Sequence, residues 1–434
     1  WYRCSITTSA NLQEVFSVVE TPQSVNYGAT TFTGDGTSGV LVAYPHTHRS
    51  DLGGMVNNLD TNSSYVPTTS AVVYAPRRGH HIYNGSAWVN EGILHESEAR
   101  TNLVTYSNDF TNSSWTKYRV SIASNVSGVT APDGSETVDK MIPNSSNNEH
   151  RVWDGVSSTA VGETYSVYAK SAGYDYVWLG YYEGSVYGYA VVNLTNGVVT
   201  ASNAANYSVE ASTNGFYRIS VTKTASGTNP RYISISPSPT ASPTLNSNNA
   251  PLYTGDGTSG IYVYGAQIEA GSTPSSYIPT AGATATRAAE TLTVPAANLP
   301  YDNTNMSIQI DGKMTGSTLT PVRWLLDANN SILLETGTND FSFTQEAVGT
   351  VDTVTGGSFV SGTNTPFNLA SRNGSTFING AASGTSLTAN TTPTALPNLS
   401  ATDLNLGQVF MGTIGQFRMW DEDITDAGIT EAST

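Results

Sequence analysis

Residues Thr254–Thr280 read TGDGTSGIYVYGAQIEAGSTPSSYIPT, and the fold follows from this stretch because the chain uses its parts twice. TGDGTSG stands at Thr33–Gly39 and again at Thr254–Gly260, each time ahead of an apolar alternating run. Each copy then closes on Ser-Tyr-(Val/Ile)-Pro-Thr, at Ser64–Thr68 and Ser276–Thr280. A seven-residue identity with matching flanks is an internal repeat. Alternation is the period of a strand with one buried face, so the repeated unit is the closing edge of a β module. Its Gly-Asp-Gly has neither the lysine of a phosphate-binding loop nor the carboxylate series of a calcium-binding hand. A tight turn with glycine at positive φ is expected instead.

Working outward, Trp1–Ile6 echoes Phe216–Val221, and both precede a copy of TGDGTSG. Residues 1–79 therefore read as the last part of a β-sandwich module whose start is missing, and the chain as a piece of a longer one. Residues 80–98 read as a connector with a hairpin-like Tyr83-Asn84-Gly85-Ser86. A complete module spans 99–290, with alternating strands at 164–169, 174–183, 186–193 and 215–222, a Ser/Pro/Asn-rich loop at 230–251, and the quoted stretch as its close. An Ala/Thr/Pro-rich linker covers 281–304. A further sandwich occupies 291–434, opening on the period-2 strand Met306–Ile310. Helical periodicity is confined to a short turn after Thr425. The expected class is all-β, built of tandem β-sandwich domains.

Composition narrows the function. The 434 residues carry a net charge of −16, with 12% charged residues, 40 Gly and 24 Tyr. Neutralising phosphates needs a basic surface, so no nucleic-acid partner is expected. No window approaches the 18–20 apolar residues of a membrane span, and the single Cys4 excludes an internal disulfide.

The densest aromatic patch is Tyr174-Asp175-Tyr176-Val177-Trp178-Leu179-Gly180-Tyr181-Tyr182, answered by Tyr187-Gly188-Tyr189. On a strand Tyr174, Tyr176, Trp178 and Tyr182 share one face, and Val177, Leu179 and Tyr181 the other. With the Val/Leu face inward, an aromatic platform meets water, and aromatic faces stack on the apolar faces of sugar rings. The same rings would equally serve a core or a subunit interface. His46 and His48, with Asp51, put ligand-type side chains on one strand face; an exposed loop insertion is the alternative. Acidic residues fall at turns, with neither the paired carboxylates of a glycosidase nor a nucleophile elbow, so no enzyme is expected.

Arg100-Thr101-Asn102-Leu103, Tyr106-Ser107, Asp109-Phe110 and Trp115-Thr116-Lys117, followed by Ala131–Gly134, Lys140-Met141, Thr164–Lys170, Gly260–Thr280 and Thr286–Ala289, resemble a repeat family of bacteriophage tail and fibre proteins. That resemblance implies a galactose-binding-like jelly roll akin to carbohydrate-binding modules. Phe377–Gly380 and Gly412–Trp420 are similar to strands of concanavalin-like, laminin-G-like sandwiches. The family implies a structural protein on the virion surface, in a tail or fibre, that adheres to host-surface polysaccharide. It also implies contacts with other virion proteins and a homo-oligomer, commonly a trimer. A secreted or cell-surface carbohydrate-binding array and a ligand-free decoration protein remain as alternatives. No cofactor is required, but such modules often hold calcium near their first and last strands, where Asp109 and Glu269 stand.

Overall fold

The chain forms two compact units, Trp1–Arg77 and Arg78–Thr434. The computed structural model describes residues 77–434 apart from 84–87, 159, 161, 184–185, 225–230, 248, 317, 338 and 361. His46, His48 and the first copy of the repeat lie outside the described residues.

The second unit is all-β, folded as tandem jelly-roll-type sandwiches, and Thr425–Ala432 is the one α-helix among the described residues. That helix falls where the sequence places a helical turn. No helix among the described residues is long and apolar enough to cross a membrane.

The first sandwich packs two six-stranded sheets. The back sheet runs Asn206–Ala211, Tyr217–Lys223, Glu163–Ala172, Gly260–Ala270, Asp139–Pro143, Val120–Ala123. The front sheet runs Val199–Ser202, Val186–Asn193, Tyr176–Glu183, Arg231–Ser238, Arg151–Val156, Thr116–Tyr118. Tyr165, Val167, Ile219, Ile261 and Ile268 from the back meet Val152, Val177, Leu179, Ile233 and Ile235 from the front in one buried core.

The quoted stretch lies at the centre of the back sheet. Ile261 and Val263 point into the core, and so do Ala266 and Ile268. That switch from odd to even positions is made by a bulge, where the register against Glu163–Ala172 shifts between Tyr264 and Gln267. Gly265 carries the bend at φ +63°, and a Cβ there would sit 2.9 Å from the Tyr168 ring. Upstream, TGDGTSG is the tight turn its glycines require. Asp256 Oδ1 accepts from the amides of Thr258 (2.8 Å) and Ser259 (2.7 Å), with Gly257 at φ +76°. Downstream, the closing phrase is tied to the module's opening. The Asn102 amide donates to the carbonyls of Ala266 (3.1 Å) and Ile278 (2.8 Å), and Thr280 Oγ1 donates to Val104 O at 2.7 Å.

Two stretches differ from their sequence reading. Arg231–Ser238 falls within the expected 230–251 loop, yet it is an inner strand of the front sheet. Its inward Ile233 and Ile235 are core residues, while its outward serines give the segment a loop-like composition. In the expected connector, Trp88–Glu96 is a strand of the second sandwich, pairing Ile93 with Ile414. Its alternation is blurred because two adjacent polar side chains, His95 and Glu96, are both buried.

The second sandwich joins that strand, Met411–Trp420, Asn305–Gly316, Gly362–Gly374 and Ile378–Ala382 to a sheet containing Leu404–Val409, Thr320–Asp327, Asn330–Thr336, Phe341–Ala347 and Thr350–Gly356. Met306, Ile308, Ile310, Trp324, Phe343 and Phe410 fill its core. The C-terminal helix sets Ile429 against Ala370 and Ala381 on the outer face.

Candidate functional site

The outer face of the front sheet follows from strand period. Because Val177, Leu179 and Tyr181 are core residues, Tyr176, Trp178, Gly180 and Tyr182 must point outward. Registers then fix the neighbours. Tyr182 stands opposite Tyr187 on one side and Tyr232 on the other. The Tyr182 ring centroid lies 5.0 Å from that of Tyr187 and 5.8 Å from that of Tyr232. All three are partly exposed, making a continuous three-ring surface across three strands.

Two members of the expected platform behave differently. Trp178 is only 3% exposed. It lies across Gly180, where an added Cβ would sit 2.3 Å from its ring, and stacks on Tyr189 at 5.8 Å and 25°. Trp178 thus supports Tyr189 rather than facing water, and its Nε1 has no hydrogen-bond partner. Tyr174 precedes the strand and packs edge-on against Tyr253 at 5.7 Å. Its amide bonds to Gly260 O at 3.0 Å, so it belongs to the TGDGTSG turn. Period-2 counting fails there because Gly173, at φ +115°, breaks the strand before Tyr176.

Sequence reasoning missed several residues on this face. Tyr232, Ser234, Ser236 and Ser238 project outward from the serine-bearing strand, Trp153 and Arg151 from the next, and Thr116 and Tyr118 from the edge. Trp153 pairs with Ser234, which pairs with Gly180, which pairs with Tyr189. Small residues therefore lie between the rings but are covered: Trp178 lies over Gly180, and Ser236 Oγ donates to His150 O at 2.6 Å. Ser234, buried among them, has an Oγ with no hydrogen-bond partner. The signal lay in the Tyr-Ile-Ser-Ile-Ser alternation at 232–236.

The expected calcium ligands are not brought together. Asp109 Oδ1 caps a turn, accepting from the amides of Thr111 (3.0 Å) and Asn112 (3.2 Å). Glu269 is buried in the closing phrase, accepting from Gln267 Nε2 (2.7 Å) and the Ser275 amide (2.9 Å), with Arg100 Nη1 at 3.8 Å. The described residues contain no group of three or more His, Cys, Asp or Glu placed to hold a metal.

Two acids from strand ends do converge. Glu163 and Glu183 are buried with Arg231 and Lys223: Arg231 bonds Glu163, its Nε lies 3.3 Å from Glu183, and Lys223 bonds Glu183. Tyr165 Oη donates to Glu163 at 3.0 Å, and burial pushes that hydroxyl far above its ordinary range. With both carboxylates neutralised and shielded from water, this cluster is an internal ion network.

Asp154 shares the inward side of its strand with Val152 and Val156. Burial pushes its carboxyl up to about 6, against the pull of the Gly155 amide. Below about pH 3 the acid is neutral in both folded and unfolded chains. Between about pH 4 and 6 the unfolded chain is ionised while the folded one keeps its proton, so stability falls there and levels off once the folded carboxyl ionises. Stability should fall by up to ~3 kcal/mol across that window. Asp154→Asn is expected to flatten this slope and to gain ~2 kcal/mol over wild type at pH 7.5. Urea midpoints at pH 4 and pH 7.5 check this; parallel shifts at both would refute it.

No family model matches the chain, and no curated protein matches it. Among solved structures, a Ruminococcus gnavus sialidase carbohydrate-binding module, bound to α2,3-sialyllactose, aligns at 13% identity over 33% of this chain and 97% of its own, with a TM-score of 0.28. Botulinum neurotoxin type C, whose cell entry depends on two ganglioside molecules, aligns at 11% identity over 30% of this chain, with a TM-score of 0.24. The chain spans about a third of that neurotoxin chain's length, 35%. A heptameric pentraxin from Limulus polyphemus aligns at 8% identity over 31% of this chain and 72% of its own, with a TM-score of 0.27. Likenesses this distant carry no ligand across.

Proposed function

We propose that this chain is a structural segment of a phage tail fibre or similar appendage, and that it adheres to host-surface glycan through the outer face of the front sheet. The observation that carries the adhesion reading is the three-ring surface Tyr187–Tyr182–Tyr232, partly exposed across three strands. Sugar rings present apolar faces to aromatics, and these three partly exposed rings offer that contact. Binding rather than catalysis is favoured because the converging acids Glu163 and Glu183 are held by Arg231 and Lys223. The appendage reading rests on the duplicated module, since tandem modules give reach and multivalent contact.

Tyr182→Ala removes the ring shared by both contacts. It is expected to weaken the best-bound member of a glycan array about tenfold, or ~1.4 kcal/mol, with a near-unchanged melting temperature. Wild-type affinity in that variant would sink the adhesion site. For the appendage reading, antibody to this chain should label intact particles in micrographs; unlabelled particles would overturn it.

A further inference from the structure

At the opposite border of the same face stands a pair of arginines. Arg119 occupies the single position between strands Thr116–Tyr118 and Val120–Ala123, which belong to opposite sheets. It makes that crossing at φ +57°, a conformation uncommon for a residue with a side chain. Its carbonyl is pinned by His150 Nδ1 at 2.8 Å and by the Asn144 amide at 2.9 Å. Its guanidinium lies over the Tyr118 ring at 4.8 Å, with Nη1 buried and lacking a hydrogen-bond partner. Opposite Tyr118 stands Arg151, its guanidinium 4.6 Å over the Trp153 ring. The Tyr118 and Trp153 centroids are 6.3 Å apart. Glu149 Oε2 approaches Arg151 Nε at 3.5 Å and accepts from Asn246 Nδ2 at 2.6 Å. Arg119 makes no ion pair among the described residues, in a chain with 34 acids to 18 bases.

We propose that this corner, Tyr118–Arg119–Arg151–Trp153, is a subsite for the carboxylate of an acidic sugar. The inference rests on the aromatic face being the glycan site and names the class of glycan it takes. A guanidinium over a ring face keeps its edge N–H groups for an oxyanion; Arg151 shares its edge with Glu149, while Arg119 has no carboxylate partner among the described residues. Trp153 lies two interstrand spacings from the Tyr182 strand, about 10 Å. An oligosaccharide laid across the outer face of the front sheet would stack one sugar on the tyrosines and bring another to the arginines.

The test uses the intact chain with alginate, hyaluronan and polysialic acid, each beside its carboxyl-reduced form, in which CH₂OH replaces the carboxylate. A sulfated and a phosphorylated glycan serve as alternative oxyanion sources. Wild type should prefer at least one acidic glycan over its reduced form by about tenfold at low salt, the preference shrinking as salt rises. Arg119→Asn, a residue that tolerates positive φ, should cut that preference to within about twofold and leave the reduced form's affinity unchanged. Arg119→Lys should restore it only in part. Tyr182→Ala should weaken acidic and reduced forms alike. An acidic preference that survives Arg119→Asn, a preference only for sulfate or phosphate, or binding only of neutral glycans would each overturn the subsite while leaving the face intact. Tyr182→Ala with wild-type affinity, or no binding of any glycan, would overturn both.

Discussion

Arg231→Met is expected to lower the unfolding free energy by about 3–5 kcal/mol, the cost of removing one partner from a buried ion cluster. Arg231 is 2% exposed and reaches both Glu163 and Glu183, while Lys223 reaches Glu183. Without the guanidinium, two buried carboxylates face one ammonium, and the Ala160 carbonyl loses its 2.8 Å donor. Exchanging all four charged residues for apolar ones of similar volume should cost far less, because it removes the desolvation penalty together with the attraction. The two variants therefore separate an ion network from simple packing. Chemical denaturation gives the reading: a single substitution costing less than ~1 kcal/mol would refute the network, and so would a fourfold replacement as damaging as the single one.

That cluster also shows where legibility in the sequence ends. Strand period alone places Val177, Leu179 and Tyr181 inward and Tyr176 and Tyr182 outward, since alternation is a local property of the backbone. The turn chemistry of TGDGTSG is equally local. Glu163, by contrast, meets Arg231 only through sheet stacking and Glu183 meets it through strand pairing, and no spacing along the chain encodes either. Tyr232 and Trp153 reach the aromatic face through registers with Tyr182 and Ser234, another non-local fact. For Trp178, strand period gives the correct face and the wrong exposure: a neighbouring glycine lets a large ring lie flat and be covered. Serines make the Arg231–Ser238 strand resemble a loop, although its isoleucines keep period 2. The duplicated phrase marks a module's edge without revealing what that edge touches.

The contact made by that edge yields the second large effect. Glu96→Ala is expected to destabilise the Arg78–Thr434 unit by ~3 kcal/mol and to loosen one sandwich from the other. The backbone of Glu96 belongs to the second sandwich, paired with Met411. Its carboxylate, 3% exposed, accepts from the Ser276 amide (2.7 Å) and Ser276 Oγ (2.6 Å) in the closing phrase of the first, with Arg287 Nε at 3.4 Å. A backbone bond reinforces the joint, with Glu290 N donating to Glu96 O at 3.0 Å. Removing the carboxylate deletes two hydrogen bonds to Ser276 and the contact with Arg287 at a position that is itself only 3% exposed. Hydrogen exchange at the Ser276 amide should accelerate at least tenfold in Glu96→Ala and much less in Glu96→Gln, which keeps one acceptor oxygen. Combining Glu96→Ala with Arg287→Met should cost clearly less than the sum of the single changes, since both act on one contact. Strict additivity, or an unchanged Ser276 exchange rate, would show that the joint is held elsewhere. If the coupling is found, the phrase that closes one module is also the socket that seats Trp88–Glu96 of the second sandwich, which is the coupling that tandem modules need to move together instead of as beads on a string.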